Sequence, residues 1–420
     1  MKQTIKKTGF SIVSKTIVKI AWKNIWRQKL RSSIVLSAFA IGIFGGLASV
    51  GSMKGMTFDL VDNALNNEIA HIQIHNPKYL DNNEVQYTIK ETNALKNELS
   101  EDSKIESFSM RTKVFGMAST ATKATGIMLN GIDPKIETKV SEIYQKLDSN
   151  STWFESSKKN RIIISSKLAE TLHAKVKSKI VVTFQDYNGN LTGATFKVEG
   201  IYKTQNSMFD EQNVFVDRND LNQILSIPHN EAHEIAIKLK DYLQSGEEAE
   251  HLQKKWTSLK IEPWFILSPY LKMSADMTDF MLLIFMTIIL TALGFAIVNT
   301  MLMAILERKK ELGMIMAIGM NRYKVFQMIM WETLLLALSG SLIGIVITLA
   351  FTSYFGVHGI DISAVGEGFA SAGYGSVIYP VLSQSDYLQM VALVIVAGFI
   401  ASIFPAVRAL KMKPAEAVRQ

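Results

Sequence analysis

The stretch Asn299–Glu332, NTMLMAILERKKELGMIMAIGMNRYKVFQMIMWE, decides the fold, because an apolar segment runs into a charged one and then returns to apolar sequence. The residues before the charged part, Phe280–Leu306, include no Asp, Glu, Lys or Arg over 27 positions. A helix crosses the hydrocarbon core of a bilayer in about 20 apolar residues. Phe280–Leu306 is therefore predicted to span a membrane.

Helical spacing of apolar residues continues beyond this span as far as Ile318. The sequence therefore predicts one helix over Phe280–Ile318, which at about 1.5 Å per residue is roughly 58 Å long, well beyond a hydrocarbon thickness of about 30 Å. Gly319 is expected to end this helix in the left-handed conformation, and Asn321 is expected to cap the next one. The surplus length predicts a stiff rod that carries movement between the two sides of the membrane.

Length and composition suit a chain that lies partly in a membrane and partly in water, with 420 residues, 48% of them apolar, and a mean hydropathy of +0.14. Four segments without acidic or basic residues are predicted to span the membrane, and they cover residues 32–53, 280–306, 333–355 and 387–405. The chain has no cysteine, which excludes disulfides and thiol chemistry.

Basic residues predict the orientation of these spans. Residues 1–31 carry nine Lys or Arg, residues 307–330 carry five and residues 406–420 carry four, whereas the loop 357–385 carries none. By the positive-inside rule, both termini and the 307–330 turn are cytoplasmic. Residues 54–279, with 27 basic and 31 acidic side chains, then lie outside. The overall charge of +7 is therefore attributed to topology and anionic lipid, and not to nucleic-acid binding.

The segment between the first two spans is predicted to be a mixed α+β domain. Strands are expected at residues 71–75, 177–184, 194–202, 213–216 and 234–240, and helices at 165–174, 218–226 and 244–257. Asn188-Gly189 predicts a hairpin turn. The Gly-, Ala- and Ser-rich loop 357–385 leaves two interpretations open, a short re-entrant or interfacial element and a plain loop.

The segment ERKKELGMIMAIGMNRYKV resembles the region that follows the second membrane helix in FtsX-like permeases of ABC transporters, a family that includes macrolide exporters and lipoprotein-releasing permeases. The resemblance implies that this turn docks on an ATPase subunit. The coupling residues that it implies are Glu307, Arg308, Glu311, Leu312, Gly313, Ala317, Ile318, Gly319, Met320, Asn321 and Arg322. Met320 and Asn321 stand where the family more often has small residues.

Further matches to the same family lie near both ends and in the outer domain. KIAWKNIWRQKLR at residues 19–31 is similar to the family's opening, and HIQIHNPKY and NGIDPK resemble its periplasmic core domain. The end of the chain resembles the family's terminal motif through Pro405, Ala406, Ala409, Pro414, Glu416, Ala417 and Arg419. The resemblance implies an inner-membrane protein of a double-membraned bacterium, with the outer domain in the periplasm.

The predicted organisation is an α-helical membrane protein with four transmembrane helices and a large α+β periplasmic domain inserted between helices 1 and 2. Its successive parts are a cytoplasmic or interfacial amphipathic helix (1–31), the first span (32–53), the periplasmic core domain (54–279), the second span (280–306), a cytoplasmic coupling segment (307–332), the third span (333–355), a periplasmic loop (356–386), the fourth span (387–405) and a cytoplasmic tail (406–420).

Pairs of glycines four residues apart occur in two spans, Gly42 with Gly46 and Gly340 with Gly344. Small residues at this spacing let helices approach closely in lipid. These glycines are therefore predicted to serve helix packing. A pair of permease chains would bring such faces together, so a dimer with an identical or paralogous second subunit is expected.

Several kinds of chemistry are excluded by missing motifs. The sequence has no G-x-x-x-x-G-K-[ST], so ATP and Mg²⁺ are expected on a separate ATPase dimer, and no cofactor is expected in this chain. HNEAH at residues 229–233 is not a zinc-protease motif, and His229 and His233 are expected at the surface. The spans hold no charged residue of the kind that ion-coupled carriers keep at membrane depth. The driving force is therefore expected to come from the ATPase.

Methionines cluster around the second span, where 11 of the 20 lie between Met273 and Met330. Flexible thioether side chains suit irregular apolar cargo such as acyl chains. Ordinary lipid-facing and core packing is the other interpretation of this cluster, and it is the favoured one. The residues expected to face substrate or lipid are Met277, Met281, Phe285, Met286, Phe44 and Leu47.

The function predicted from the resemblance is that of the membrane subunit of a type VII ABC system that extracts lipoproteins from the inner membrane and releases them to a periplasmic carrier. Two alternatives stay open. One is an efflux or peptide-export permease of a tripartite pump, and the other is a mechanotransmission module that activates a cell-wall hydrolase.

Overall fold

The structure is a computed structural model that describes residues 16–27, 29–90, 92–155, 158–363, 374–375 and 377–410. The chain divides into two compact units. The helical unit comprises Met1–Met56, Asp276–Ile360 and Ile378–Gln420, and the α/β unit comprises Thr57–Ala275 and Asp361–Val377.

Four helices in the described part of the chain are long and apolar enough to cross a membrane. Span helices 1 to 4 run over Lys29–Ala64, Pro269–Glu307, Arg322–His358 and Gln384–Leu410. Each contains one of the charge-free segments of the sequence and extends beyond it. Span helix 1 continues past Met53 and is followed by a π-helical turn, Leu65–Ile69.

The prediction of one uninterrupted helix over Phe280–Ile318 is wrong. Span helix 2 ends at Glu307, and a separate linker helix covers Lys309–Ala317, with Arg308 between them at φ −96° and ψ 15°. Leu312 and Met316 of the linker helix are buried in the core of the helical unit. A straight continuation into water would expose both side chains, and burying each of them stabilises the bent arrangement by roughly 1.5–3 kcal/mol.

The N-terminal helix, residues 16–27, packs on the same core. Ile17 and Ile25 are buried there, while Trp22 and Trp26 are about half exposed. The helix therefore has one face against its own chain and carries its tryptophans on the other.

Span helices 1 and 3 touch closely at two glycines. A Cβ atom on Gly344 would lie 2.9 Å from the carbonyl oxygen of Ala40, and a Cβ atom on Gly340 would collide with the Cβ atom of Phe39. Real Cβ atoms do not approach others this closely, so only glycine allows this packing.

The other glycine pair also meets helices of the same chain. A Cβ atom on Gly42 would lie 2.8 Å from Leu293 of span helix 2, and one on Gly46 would lie 2.8 Å from Met390 of span helix 4. Since all four glycines contact side chains or backbone within one chain, the expectation that these faces join two subunits is wrong.

The α/β unit is built on a nine-stranded mixed sheet in the order β3-β7-β4-β6-β5-β2-β8-β1-β9. The strands are β1 Ile72–His75, β2 Ile105–Ser119, β3 Ala124–Ile132, β4 Arg161–Ser165, β5 Lys179–Gln185, β6 Leu191–Tyr202, β7 Asn213–Asp217, β8 Glu234–Leu239 and β9 Lys260–Pro263. Helices of the unit are Pro77–Asn82, Thr92–Glu101, Pro134–Glu137, Ser166–Leu172, Ser207–Gln212, Arg218–Leu225, Ser245–Lys255 and Trp264–Leu267.

Strand β2 belongs to two parts of this sheet. Its second half pairs with both β3 and β5, and because β3 also pairs with β7, the strands β2, β3, β7, β4, β6 and β5 close into a ring. Its first half pairs with β8, which continues to β1 and β9. The ring and the four-stranded part each enclose their own apolar core.

The five predicted strands and three predicted helices of this unit are confirmed within a few residues. The β5–β6 hairpin turns at Asn188-Gly189 as predicted, with Gly189 at φ +81°. Strands β2, β3, β4 and β9 had no counterpart in the prediction. The short strands Ile360–Asp361 and Val377–Ile378 lie within the loop 357–385, for which a re-entrant element was considered. Residues 364–373 and 376 of that loop lie outside the described residues.

His233 is fully buried, so its predicted surface position is wrong. Its Nδ1 accepts a hydrogen bond from the Lys113 N–H at 3.1 Å, and its Nε2–H donates to the Val85 carbonyl at 2.9 Å. Both ring nitrogens are therefore satisfied by the neutral imidazole. Burial lowers the pKa of His233 to about 4.

The stability of the α/β unit is expected to fall in acid because of this histidine. Between an unfolded pKa of about 6.5 and a folded pKa of about 4, only the unfolded chain takes up the proton, so the free energy of unfolding falls as pH falls through this window, by up to about 3 kcal/mol. Urea unfolding followed by tryptophan fluorescence measures the effect. His233→Gln cannot take up a proton, so its stability deficit relative to wild type should shrink from pH 7 to pH 4. A constant deficit would contradict the assignment.

Candidate coupling site

The turn after the linker helix is fixed by two capping residues. Gly319 lies in the left-handed region at φ +108°, and the Met320 N–H donates to the Ile315 carbonyl at 3.1 Å. The Asn321 side chain accepts from the Tyr323 N–H at 3.1 Å and caps span helix 3. The left-handed glycine and the asparagine cap predicted from the sequence are both confirmed. The linker helix thus ends and span helix 3 begins within four residues.

A chain of four charged side chains holds the linker helix in place. Arg27 of the N-terminal helix binds both carboxylate oxygens of Glu311, at 2.5 and 3.3 Å. Arg308 contacts Glu311 at 3.3 Å and Glu332 of span helix 3 at 3.2 Å. Arg308 and Glu332 each keep only 11% of their side-chain exposure. Such a sheltered network is worth more than an isolated surface pair, and it ties three helices to the break at residue 308.

Two members of this network, Arg27 and Glu332, were not among the predicted site residues. Glu332 was the last residue of the predicted coupling segment, and Arg27 lies 284 positions before Glu311 in the sequence. The sequence did offer one signal for Glu332. It is a single acidic residue at the border of an apolar span, and a charge in that position needs a partner of opposite charge.

The predicted coupling residues fall into three groups by exposure. Leu312 and Gly313 are buried, and Leu312 packs the linker helix against the core. Arg308, Glu311 and Met320 are half-buried. The exposed residues are Glu307, Ala317, Ile318, Gly319, Asn321 and Arg322.

Ile318 is the most exposed large apolar side chain of the turn, at 88%. Met314 on the linker helix and Tyr323 at the start of span helix 3 are also about half exposed or more. Arg322 and Lys324 add positive charge beside them. An apolar tip of this kind with basic neighbours is typical of a protein contact surface.

A shallow apolar groove of about 410 Å³ lies between span helices 2 and 4. Its lining includes Thr287, Thr291, Gly294 and Phe295 of span helix 2 and Val396 of span helix 4. Only 17% of the most apolar window of span helix 2 is buried, against 33 to 44% for the other three span helices. Span helix 2 therefore offers the most uncovered apolar surface within the described helical unit.

The residues expected to face substrate or lipid do not form one surface. Met277, Met281 and Phe285 are exposed on span helix 2, at 49%, 39% and 45%. Met286 is partly buried against the core, and Phe44 stacks edge to face on Phe351. Leu47 is fully buried in the core, so the expectation that it faces substrate is wrong.

Four apolar span helices, a charged turn between the second and third, and an α/β unit between the first and second define a polytopic membrane protein with a large extramembrane domain. The family of the MacB-like periplasmic core domain matches residues 32–257, and the family of the FtsX-like permease C-terminal region matches residues 283–414. The first match covers more than half of the chain. The chain therefore belongs to the FtsX-like permeases with a MacB-like periplasmic core, which are permease subunits of ABC transporters.

Curated relatives match most of the chain at low identity. The lipoprotein-releasing system transmembrane protein LolE of Haemophilus influenzae is 22% identical over 412 residues, which cover 94% of this chain and 97% of that protein. LolC of Neisseria meningitidis serogroup B is 22% identical over 323 residues, 72% of this chain and 75% of that protein. The crystal structure of the periplasmic region of MacB from Actinobacillus actinomycetemcomitans is matched at 14% identity over 51% of this chain and 97% of that one, with a TM-score of 0.34.

Proposed function

We propose that this chain is the transmembrane permease subunit of a type VII ABC system whose ATP hydrolysis takes place on a separate cytoplasmic ATPase dimer. The observation that carries the proposal is the turn around Ile318, which is exposed, apolar at its tip and braced by the four-residue ion network. A rigid turn of this kind is suited to receive a push from a partner. ATP and Mg²⁺ belong to that partner, because this sequence contains no phosphate-binding loop.

In this proposal, a movement of the turn is passed to the span helices by ion pairs between neighbouring helices, and not by one long continuous helix. Arg308 joins the start of the linker helix to span helix 3, and Arg27 joins it to the N-terminal helix. A displacement of the turn therefore acts on span helices 2 and 3 and on the N-terminal helix together. With its termini and this turn in the cytoplasm of a double-membraned bacterium, the α/β unit belongs in the periplasm.

The cargo that we propose is a lipoprotein, extracted from the inner membrane and passed to a periplasmic carrier. Support comes from the relatives named as lipoprotein-releasing proteins and from the uncovered apolar surface of span helix 2 with its adjacent groove. Acyl chains bind to such surfaces by apolar burial, at about 0.8 kcal/mol per CH₂ group. The same surface suits a second permease subunit, identical or paralogous, which would enclose the cargo from the other side.

Lipoprotein cargo is expected to crosslink to the exposed side of span helix 2. A photoreactive residue at Met281, which is 39% exposed, should capture lipoproteins in living cells, and capture should rise when ATP hydrolysis is blocked. The matched control is Leu342, which is 65% exposed but lies on span helix 3 rather than on span helix 2. Labelling by phospholipid alone, or equal capture at both positions, would count against lipoprotein handling.

A permease of a tripartite export pump is the second candidate, because the MacB-like periplasmic core matches more than half of the chain. Depletion of the protein in cells distinguishes lipoprotein release from export by a tripartite pump. Lipoproteins left behind in the inner membrane support the first function, whereas normal lipoprotein sorting with increased sensitivity to exported compounds supports the second.

A further inference from the structure

The α/β unit contains a two-part cavity that the proposed function does not use. The outer part, about 610 Å³, lies among the end of span helix 1, the helix Ser207–Gln212 and the start of span helix 2, and includes apolar residues such as Leu60 and Met208. The inner part, about 190 Å³, is lined mainly by polar side chains. Glu68 and Asn213 line both parts, so the two parts lie next to each other.

The inner part holds a buried hydrogen-bond acceptor with no partner. Asn67 is only 4% exposed, and its Oδ1 makes no hydrogen bond within the described residues. Its Nδ2 donates to the Asn63 carbonyl at 2.8 Å, which fixes the orientation of the amide. An unpaired buried acceptor destabilises the folded protein, and this destabilisation is relieved when a hydrogen-bond donor enters the cavity.

The basic side chains of the inner part are already neutralised. Arg111 binds Glu137 at 2.6 Å and Glu234 at 2.9 Å, and Lys113 binds Glu234 at 2.5 Å. Two cations thus face two carboxylates, and the guanidinium also donates to the Glu68 carbonyl at 3.2 Å. These donors are committed to the protein and leave no cationic site for an anion.

Glu68 supplies the acidic group that remains. Burial raises the pKa of its carboxyl group to about 7, and a cation placed beside it favours the ionised form. Its Oε1 accepts from Asn206 Nδ2 at 2.7 Å, and the ion pairs of the described residues include none to Glu68. The cavity therefore presents a carboxylate at the junction of its two parts and an unpaired amide oxygen inside. A ligand that fits must donate hydrogen bonds and carry positive charge.

We propose that this cavity binds the primary ammonium group of a lysine side chain of a peptide. The ammonium group enters the inner part, donates to Asn67 Oδ1 and pairs with Glu68, while the adjoining chain lies in the outer part. The Gln212 side chain lines that outer part and suits a peptide group, whereas a lipid chain offers no hydrogen-bonding group to it. The site does not depend on the proposed ATPase coupling or on the lipoprotein cargo.

The test measures calorimetric binding of two acetylated tetrapeptide amides, Ala-Lys-Ala-Ala and its norleucine twin, to the full chain in phosphatidylglycerol nanodiscs. Norleucine keeps the alkyl chain and removes the ammonium group, so the lysine peptide is expected to bind at least tenfold more tightly. Glu68→Gln should abolish this preference, since glutamine still accepts from Asn206 but carries no charge. Asn67→Asp should strengthen lysine-peptide binding several-fold.

The matched control is Glu211→Gln, which removes an exposed acid of the neighbouring helix that does not line the cavity. It should keep the full preference for lysine. Equal binding of the two peptides, no binding of either, or the same loss in Glu68→Gln and Glu211→Gln would overturn the proposal. Binding of dodecylamine without a preference for the lysine peptide would also overturn it, in favour of an amphiphilic amine. None of these measurements involves the ATPase. Failure of this proposal can therefore be distinguished from failure of the proposed function.

Discussion

Replacing Ile318 by aspartate is expected to weaken the binding of the partner ATPase by roughly 30-fold, which corresponds to about 2 kcal/mol. Ile318 is 88% exposed at the tip of the turn, so packing against the described residues does not explain an apolar residue there. An apolar side chain at the centre of an interface contributes most when it is fully desolvated by the partner. Co-purification of the ATPase with the membrane-inserted variant, followed by titration in nanodiscs, measures the loss.

The matched control for this variant is Val357→Asp. Val357 is 76% exposed near the opposite end of span helix 3, so it offers a similar apolar surface away from the turn. Insertion and yield should be unchanged in both variants, because neither side chain packs on the core. ATPase binding that stays at the wild-type level in Ile318→Asp would remove the turn from the docking surface.

Sequence periodicity located the span helices but not the break after span helix 2. Leu312 and Met316 continue the apolar spacing beyond Glu307, and a pattern of this kind does not distinguish a straight helix from one that folds back. The helix breaks if the helical unit has an apolar core surface that Leu312 and Met316 can pack against. The helical unit has such a surface. The ion network could not be predicted from local sequence patterns either, because Arg27 lies 284 positions from its partner Glu311.

Strand β2 was missed for a different reason. Ser109, Arg111 and Thr112 are all buried in its middle, so the strand does not show the alternation of apolar and polar residues that indicates a half-buried strand. Arg111 is tolerated there because Glu137 and Glu234 neutralise it. Closure of the ring then depends on the parallel pairing of β3 with β7, which lie far apart in the sequence. The two-part cavity followed from the same distant contacts and could not be predicted.

Replacing Gly340 by valine is expected to destabilise the helical unit by about 3 kcal/mol, the upper part of the usual range for overpacking. A Cβ atom at this position would collide with the Cβ atom of Phe39 and lie 3.2 Å from the Leu36 carbonyl oxygen, and neither can move without shifting span helix 1. The midpoint of thermal unfolding in detergent should fall by roughly 10 °C, as monitored by size-exclusion chromatography after heating.

Gly45→Val provides the control for this packing effect, because a Cβ atom on Gly45 would meet no atom within 4 Å. It adds the same side chain to a span helix, so any general effect of valine in a membrane helix appears in both variants. A midpoint close to wild type in Gly45→Val, together with the large loss in Gly340→Val, assigns the cost to the contact between span helices 1 and 3. Equal losses would contradict that explanation, and the packing of these helices would then have to be attributed to residues other than the glycines.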